Sequence, residues 1–333
     1  MTDIQPIVLT PGEPAGIAPD ITGLAWQRLR DKPQCCFILL GDADYWKVRN
    51  PSIPFKRIQG AREASSVFAE ALPIMHRPLA SHPVAGQIAA ATALQVIAAI
   101  EEAASLVLDG AASAIVTNPV QKDALYAAGF KHQGHTDYLA YLARARGHNV
   151  DEVMMLVAKD LRAIPITVHI PLAEVPRMLN GEAIVTQARV AARDLTRYFG
   201  IPRPRLAFTG LNPHAGENGA IGTEDRDIIL PAIRQLAAQG LAVSGPLSAD
   251  TAFHPEARKD YDVILCMYHD QALIPVKTLD FYGGVNVSLG LPFIRTSPDH
   301  GTALDIAGTG VANPESLIAA LTLAAEMARA GRG

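Results

Sequence analysis

Three histidines occupy equivalent places in the sequence, each just after a short apolar run. The runs and their histidines are 163–168 with His169, 206–209 with His214, and 263–267 with His269. Runs this short and this apolar are typical of strands buried on both faces of a parallel sheet, and ligands bind at the carboxyl ends of such strands. Since neutral imidazole is a common ligand of divalent metals, three of them at three strand ends predict one metal site.

The alternative is that each histidine is a hydrogen-bonded structural residue, which is the commoner role of a lone histidine near a strand end. Each of the three lies in a loop rich in Asn, Asp, Gly and Pro. Their equivalent positions and polar surroundings favour the ligand interpretation.

A second group of residues has the chemistry of an anion site. Gly-His-Thr-Asp at 134–137 precedes a predicted helix over 138–146. Thr136 or Asp137 can cap that helix; alternatively, free backbone N–H groups, the Thr136 hydroxyl and the His135 imidazole face one oxyanion. The local sequence supports both interpretations equally.

Two cations near the C-terminal end of the chain suit a phosphate or a carboxylate. They are Lys277 and Arg295, and Asn286 lies between them. An isolated lysine is by default a solvated surface charge, but Arg295 has apolar neighbours, which favours a binding role.

The elements that position these residues indicate an α/β fold with mostly parallel strands, because strands and helices alternate. The predicted strands are 4–9, 35–40, 114–117, 152–157, 163–168, 206–209 and 263–267. The predicted helices are 19–29, 85–108, 122–128, 138–146, 181–199, 223–239 and 314–329. The stiff Pro- and Gly-rich segment 10–19, which follows the first strand, is predicted to be a site loop.

Composition limits the class of protein. The 333 residues suffice for two domains, and 49% apolar residues provide a large core. A net charge of −4 without a basic tract argues against nucleic acid as the main partner. The N-terminus lacks a secretory pattern, and the apolar stretch 88–108 is interrupted by Gln95, Glu101 and Glu102, which predicts a buried helix and no membrane span. Three cysteines without metal or redox spacing indicate reduced core residues in the cytoplasm.

Two nucleotide-binding motifs are excluded. The sequence has no P-loop. Gly-Thr-Gly at 308–310 lacks the third glycine of a Rossmann fingerprint and precedes only the last helix, so no βαβ unit is available.

Four motifs are distinctive in combination: Gly-Glu-Pro-Ala-Gly-Ile at 12–17, Gly-His-Thr at 134–136, Gly-Leu-Asn-Pro-His-Ala-Gly-Glu at 210–217, and Met-Tyr-His-Asp-Gln at 267–271. They resemble those of the 4-hydroxythreonine-4-phosphate dehydrogenase family of vitamin B6 synthesis. With the run 290–303, the resemblance covers nearly the whole chain. One departure is Ala18, where the family usually has glycine.

The resemblance implies a two-domain α/β/α fold like that of isocitrate and isopropylmalate dehydrogenases, with the site in the interdomain cleft. The domains expected from it are 1–130 with 280–333, which carries the cofactor loop, and 131–279, which carries metal and dimer contacts. It implies a homodimer with shared active sites and one divalent ion (Zn, Mg or Co) held by residues matching His169, His214 and His269.

Further site residues also follow from the resemblance. The substrate contacts that it implies are His135, Thr136, Lys277, Asn286 and Arg295. The stretch 300–308 resembles an adenosine-binding loop, which makes the cofactor-binding candidates His300, Gly301, Thr302 and Asp305.

The chemistry that the resemblance implies is oxidation of 4-phosphohydroxy-L-threonine by NAD or NADP. The 3-keto acid then loses carbon dioxide to give 3-amino-2-oxopropyl phosphate. Asp250 and Asp270 are the candidates for the proton acceptor, and either can instead orient a histidine.

Three alternatives stay open at this point. The substrate can be a four-carbon sugar-acid phosphate such as D-threonate or D-erythronate 4-phosphate. Three histidines and a water also suit a metal-dependent hydrolase. The third alternative is a non-catalytic binder of phosphorylated metabolites.

Overall fold

The computed structural model describes residues 5–331. The strands in chain order are β1 Ile7–Thr10, β2 Phe37–Gly41, β3 Phe55–Arg57, β4 Leu72–His76, β5 Ala114–Thr117, β6 Val153–Ala158, β7 Leu161–Thr167, β8 Arg205–Thr209, β9 Ala242–Leu247, β10 Val263–Tyr268, β11 Val285–Leu289 and β12 Ile294–Pro298. The α-helices are α1 Ala18–Leu29, α2 Ala43–Arg49, α3 Ala64–Val67, α4 Ala93–Leu108, α5 Lys122–Ala127, α6 His135–Ala145, α7 Val175–Met178, α8 Gly181–Phe199, α9 Leu230–Ala238, α10 His269–Leu279 and α11 Glu315–Ala330.

The first of two compact units contains the described residues up to Val150 together with Leu291–Arg329. Its six strands are hydrogen bonded in the order β3-β4-β2-β1-β5-β12, and every pair is parallel. All residues of β1, β2, β5 and β12 are buried, as expected for strands covered on both faces.

The second unit contains Asp151–Gly290. Its strands follow the order β11-β6-β7-β10-β8-β9. β6 is antiparallel to both β11 and β7, whereas β7, β10, β8 and β9 are parallel to one another. The carboxyl ends of β7, β10 and β8 therefore lie at one edge of this sheet. His169, His269 and His214 come after these strands in the chain, at that edge. The predicted α/β fold with mostly parallel strands is confirmed.

The chain passes from one unit to the other at 150/151 and 290/291, whereas the family resemblance implied boundaries at 130/131 and 279/280. Helix α6 belongs to the first unit because it packs against α4. The Tyr138 hydroxyl donates to Glu101, and Arg146 Nη1 lies 3.1 Å from Asp109 Oδ1. Strand β11 belongs to the second unit because it pairs with β6.

Helix α4 is shorter than predicted. The sequence predicted a helix over 85–108, but α4 begins at Ala93 after a 3₁₀ turn over Ala90–Thr92. Gly86 has a left-handed φ of 81° and donates its N–H to Ala15 O at 2.8 Å, which ties this segment to the first loop. Within the described residues, 90–108 is the one helical stretch long and apolar enough to cross a membrane. Here it packs against β1, β5 and α6.

Helix α10 was missed from the sequence. His269 is its first residue, Asp270 lies in its first turn and Pro275 lies inside it. Asp270, which the sequence analysis placed in a polar loop, is therefore held on regular structure. Strand β10 passes directly into this helix.

Candidate functional site

His169 and His269 are neighbours at the sheet edge of the second unit. Tyr268, the last residue of β10, pairs with Thr167, the last residue of β7. The two imidazole rings that follow have centroids 5.6 Å apart. A pocket of about 220 Å³ opens beside them, and its lining includes Thr167, Tyr268 and Asp270.

Asp270 is in contact with His269. Its Oδ1 lies 2.7 Å from His269 Nδ1, and the Asp270 side chain is 69% exposed. A carboxylate on Nδ1 fixes the tautomer that leaves the Nε2 lone pair for a metal ion. The donor chemistry of this histidine pair therefore fits a divalent metal.

His214 lies on an unusual turn after β8. Residues 214–218 all have left-handed φ values between 43° and 76°, although only Gly216 among them is glycine. Asp250 lies near His214: the pKa of the Asp250 carboxyl is lowered, mainly by the hydrogen bond from Ser248 Oγ at 2.5 Å and, to a lesser extent, by His214. The two candidate aspartates are thus distinguished, with Asp270 beside His269 and Asp250 on the side of His214.

The structure brings together two of the three predicted metal ligands. Among the residues that it describes, the group of three ligand side chains with atoms within 4.8 Å of one another is Asp42, Asp44 and His76. The three predicted histidines do not form such a group within one chain.

The Asp42 group is a helix cap. Asp42 Oδ1 accepts from the backbone N–H groups of Asp44 and Tyr45 at 3.0 and 3.2 Å. His76 Nδ1 accepts from Ala43 N–H at 3.1 Å, so its lone pair is already used. These bonds satisfy the first turn of α2, and we assign no metal to them.

Arg295 is the buried cation among the residues of the first unit that were predicted to bind an anion. It lies on β12, is 4% exposed, and donates from Nη2 to Thr117 Oγ1 at 2.6 Å and from Nη1 to Thr136 Oγ1 at 3.3 Å. Burial lowers the pKa of the guanidinium to about 10, so it stays charged at neutral pH. A buried cation of this kind is suited to a phosphate or a carboxylate.

His135 is a neutral imidazole beside this cation. Burial, with the charges of Arg295 and Lys122, lowers its pKa to about 3. Its Nε2 is buried and has no hydrogen-bond partner within the described part of the chain. A buried polar atom in this state marks a place where a ligand atom completes the hydrogen bonding.

Lys122 was missed from the sequence. It is the first residue of α5, and its Cε lies 3.8 Å from the position that a Cβ on Gly134 would occupy. Its side chain therefore passes over the residue that precedes α6. A lysine at the start of a short helix has no sequence signal that separates it from a surface charge.

The start of α6 supports the anion-site interpretation for Thr136 and the capping interpretation for Asp137. Gly134 is the N-cap residue, and no side chain caps it. Asp137 Oδ2 accepts from Gln133 N–H at 3.0 Å, which stabilises the turn before the helix. The Thr136 hydroxyl instead bonds to Arg295. The positive end of the α6 dipole therefore lies beside the buried guanidinium, an arrangement that suits an anion.

The second unit holds Lys277 and Asn286. Lys277 lies in the last turn of α10, with Nζ 5.4 Å from the centre of the Phe281 ring. Asn286 lies on β11, and its Oδ1 is buried without a hydrogen-bond partner in residues 5–331. One helix thus carries His269 at its start and Lys277 at its end.

The predicted cofactor loop packs against the first loop of the chain. Thr302 O accepts from Ile17 N–H at 3.0 Å, and Thr302 Oγ1 donates to Gln121 Oε1 at 3.1 Å. A Cβ on Gly16 would lie 2.7 Å from Thr302 O, so glycine is needed there. Thr302 is therefore the buried anchor of the loop.

The rest of this loop is more open. Gly301 and Asp305 are exposed, and Asp305 lies in a 3₁₀ turn, Leu304–Ile306. His300 Nδ1 lies 2.9 Å from Gly301 O. Gly308 N–H donates to Asp20 Oδ2 at 2.8 Å, which fixes the far end of the loop.

Ala18, where glycine was expected, begins α1. Its position is helical, so the backbone there needs no glycine.

Comparison with known proteins identifies the family to which the chain belongs. Residues 33–324 match the family described as Pyridoxal phosphate biosynthetic protein PdxA. The 4-hydroxythreonine-4-phosphate dehydrogenase of Caulobacter vibrioides is 50% identical over 331 residues, which cover 97% of this chain and 98% of that protein. The corresponding enzyme of Xanthobacter autotrophicus is also 50% identical, over 98% of this chain and 94% of its own.

A solved structure gives the same result. The crystal structure of 4-hydroxythreonine-4-phosphate dehydrogenase from Klebsiella pneumoniae superposes with a TM-score of 0.86 at 39% identity, covering 97% of this chain and 99% of that one. The range that matches the family model, 33–324, includes every candidate residue described above. The chain therefore belongs to the PdxA family of pyridoxal phosphate biosynthetic proteins.

Proposed function

We propose that this protein is an NAD- or NADP-dependent, metal-dependent 4-hydroxythreonine-4-phosphate dehydrogenase of pyridoxal phosphate biosynthesis. The observation that carries the proposal is the buried Arg295, bonded to Thr117 and Thr136 beside the neutral His135. Such a set suits the anionic end of a phosphorylated substrate. Relatives of that name at 50% identity over almost the whole chain support it.

The proposed overall reaction oxidises the C3 hydroxyl of 4-phosphohydroxy-L-threonine, and the resulting 3-keto acid loses carbon dioxide. The products are 3-amino-2-oxopropyl phosphate, carbon dioxide and the reduced nicotinamide. When bound, a divalent ion (Zn, Mg or Co) favours loss of the alcohol proton and stabilises negative charge on oxygen, while NAD or NADP accepts the hydride.

The chain's own residues bind the metal ion and orient the imidazoles that hold it. His169 and His269 hold the metal ion from one chain, and Asp270 keeps His269 in the required tautomer through the 2.7 Å contact. We propose that His214 completes this set from the second subunit of a homodimer, because the three side chains do not gather within one chain.

The anionic and polar groups of the substrate are proposed to bind five further residues. They are His135, Thr136, Lys277, Asn286 and Arg295. Asp250 is the proposed proton acceptor, since its carboxylate lies near His214 and, unlike that of Asp270, is not bonded to His269. Asp270 is proposed to act only through His269.

The cofactor is proposed to lie along the loop that Thr302 anchors. Gly301 and Asp305 are exposed on it, and His300 lies at its start. A carboxylate such as that of Asp305 is a suitable acceptor for a ribose hydroxyl.

The homodimer is supported by exposed apolar side chains on the second unit. Ile274, Phe281 and Tyr282 are 61–66% exposed on and just after α10. Large exposed apolar residues close together are typical of protein–protein contacts. We also place the enzyme in the cytoplasm, consistent with the three cysteines, which are buried and unpaired.

One assay tests the proposal. The chelator-treated protein is given 4-phosphohydroxy-L-threonine with NAD or NADP, with and without added Zn, Mg or Co, and reduced nicotinamide is followed by absorbance. We expect metal-dependent turnover. Faster turnover of D-threonate or D-erythronate 4-phosphate would reassign the substrate, phosphate release without nicotinamide would indicate a hydrolase, and binding without an absorbance change would indicate a binder.

A further inference from the structure

The turn that carries His214 has a backbone that its own residues disfavour. His214, Ala215, Glu217 and Asn218 have φ values of 51°, 52°, 43° and 57°. Side chains on L-residues crowd the backbone in this left-handed region, which single residues visit but runs avoid. Four non-glycine residues in one such run persist only where surrounding contacts hold them.

Asp225 supplies those contacts from the segment that precedes α9. It is 2% exposed, and its Oδ1 accepts from Leu211 N–H at 2.8 Å. Its Oδ2 accepts from Asn212 N–H at 3.2 Å and from Asn212 Nδ2 at 2.8 Å. Three donors thus converge on one buried carboxylate, and all three come from the two residues at the entry to the turn.

Glycines allow the chain to close around this carboxylate. A Cβ on Gly210 would lie 2.6 Å from Asp225 Oδ1, and one on Gly216 would lie 3.1 Å from Asp225 Oδ2. A Cβ on Gly222 would lie 2.6 Å from Asn212 Nδ2. The backbone before, within and after the turn is therefore in close contact with the Asp225–Asn212 pair.

We infer that Asp225 is a positioning residue for His214: its carboxylate holds the left-handed turn in place before any metal binds, so that the imidazole is already presented as a ligand. The inference rests on the proposed function for the role of His214. It adds a residue that contacts neither metal nor substrate and acts through the backbone. A histidine on a flexible turn would lose conformational entropy when it binds the ion, which weakens binding. Because this turn is already ordered before the ion binds, that entropic cost of binding is smaller.

The test compares Asp225→Asn with the matched control Glu224→Gln. The Asp225→Asn change keeps the size of the side chain but replaces one carboxylate oxygen by an NH₂ group. That group cannot accept the hydrogen bonds that Leu211 and Asn212 donate in the wild type. Glu224 also accepts from Asn212 Nδ2, at 2.8 Å, but does not contact the backbone of the turn. Two quantities are measured on chelator-stripped protein: amide hydrogen exchange of residues 211–218, and the dissociation constant for Zn or Co by calorimetry.

We expect faster exchange in Asp225→Asn without metal and a dissociation constant raised about 10- to 100-fold, the usual effect of losing a residue that orients a ligand. Glu224→Gln should change neither by more than about threefold, since it leaves the carboxylate in place. Wild-type exchange and wild-type affinity in a folded Asp225→Asn protein would overturn the inference.

A second variant covers the case in which Asp225→Asn fails to fold. Gly216→Ala adds a Cβ 3.1 Å from Asp225 at a position where φ is 76°. It disturbs the same contact without removing the carboxylate, and it should show the same two changes; wild-type values for both would count against the inference. If the wild-type protein binds no metal, the proposed metal role of His214 fails, while the exchange data still decide whether Asp225 holds the turn.

Discussion

The carboxylate of Asp270 lies 2.7 Å from Nδ1 of the adjacent His269, at the first turn of α10. Neighbouring residues on a helix rarely face each other, so this contact depends on the change from strand β10 to helix at His269. Through this contact Asp270 Oδ1 is hydrogen bonded to the imidazole. A carboxylate so engaged is better suited to orienting a ligand than to taking a proton from a substrate.

Replacing Asp270 by Asn should therefore weaken metal binding. We expect the dissociation constant for Zn or Co to rise about 10- to 100-fold, because the tautomer of His269 is no longer fixed. Calorimetry on chelator-stripped protein measures it, with Asp260→Asn, an exposed aspartate of the same unit, as control. Unchanged affinity together with a loss of kcat and a shifted pH profile would make Asp270 the proton acceptor.

Replacing Arg295 by Ala should lower kcat/KM for the phosphorylated substrate. A charge-assisted hydrogen bond contributes about 1.5–3 kcal/mol, which corresponds to roughly ten- to a hundred-fold or more. The control is Arg28→Ala, whose exposed ion pair with Glu315 contributes little. Steady-state kinetics on variants with wild-type circular dichroism decide the point, and equal values for the two variants would remove Arg295 from the site.

Lys122 provides a prediction that the sequence alone did not. Its side chain passes over Gly134, and its charge contributes to the lowered pKa of His135. We expect Lys122→Ala to raise KM about tenfold with a smaller change in kcat, since a cation at the anion site contributes about 1.4 kcal/mol. Lys131→Ala, an exposed lysine in the same stretch, is the control. If the two variants have the same KM, Lys122 is only a surface charge.

The regular elements were the part that the sequence predicted well. Strand β5 and helix α8 have the predicted bounds, because a short apolar run and a capped amphipathic stretch are local signals. The three histidines do follow parallel strands of one sheet. Helix α10 was missed because Pro275, which cannot donate a backbone hydrogen bond, argues against a helix.

The geometry of the site could not be predicted from the sequence, for a different reason. The turn 214–218 is left-handed at four residues other than glycine, so its conformation was not evident from residue types, and Asp225, which accepts from Leu211 N–H at the entry to the turn, lies seven residues beyond it. The contact of Arg295 with Thr136 joins residues 159 positions apart. Such contacts depend on tertiary packing, which periodicity and spacing do not encode.

The lowered pKa of His135 predicts a pH dependence of stability. The pKa falls from an ordinary value of 6.5 to about 3 on folding, so between these values the unfolded state binds more protons and acid destabilises the protein. Comparing wild type with His135→Gln by chemical denaturation isolates this group. As pH falls from 6.5 toward 4, the wild type should lose up to about 1.4 kcal/mol more per pH unit than the variant. Parallel stability curves would show that His135 titrates normally.

The last prediction concerns the shared metal site. His169 and His269 have ring centroids 5.6 Å apart in one chain, while His214 does not join them in a group of ligands within that chain. If the partner's copy of this histidine completes the set, a His214→Ala subunit and a His269→Ala subunit complement each other. Their heterodimer contains one intact site and one site that lacks both residues, as a two-fold interface requires.

Each homodimeric variant should be inactive, and mixing them after reversible dissociation should restore up to about half of the wild-type activity per heterodimer. The control mixes a His169→Ala subunit with a His269→Ala subunit. In the proposed site both of these histidines come from the same chain. Every site of that heterodimer lacks one ligand, so no activity should return. Native mass spectrometry of differently tagged subunits confirms that heterodimers form. If they form and only the control pair regains activity, or neither does, His214 acts within its own chain and the ligand set must be redrawn.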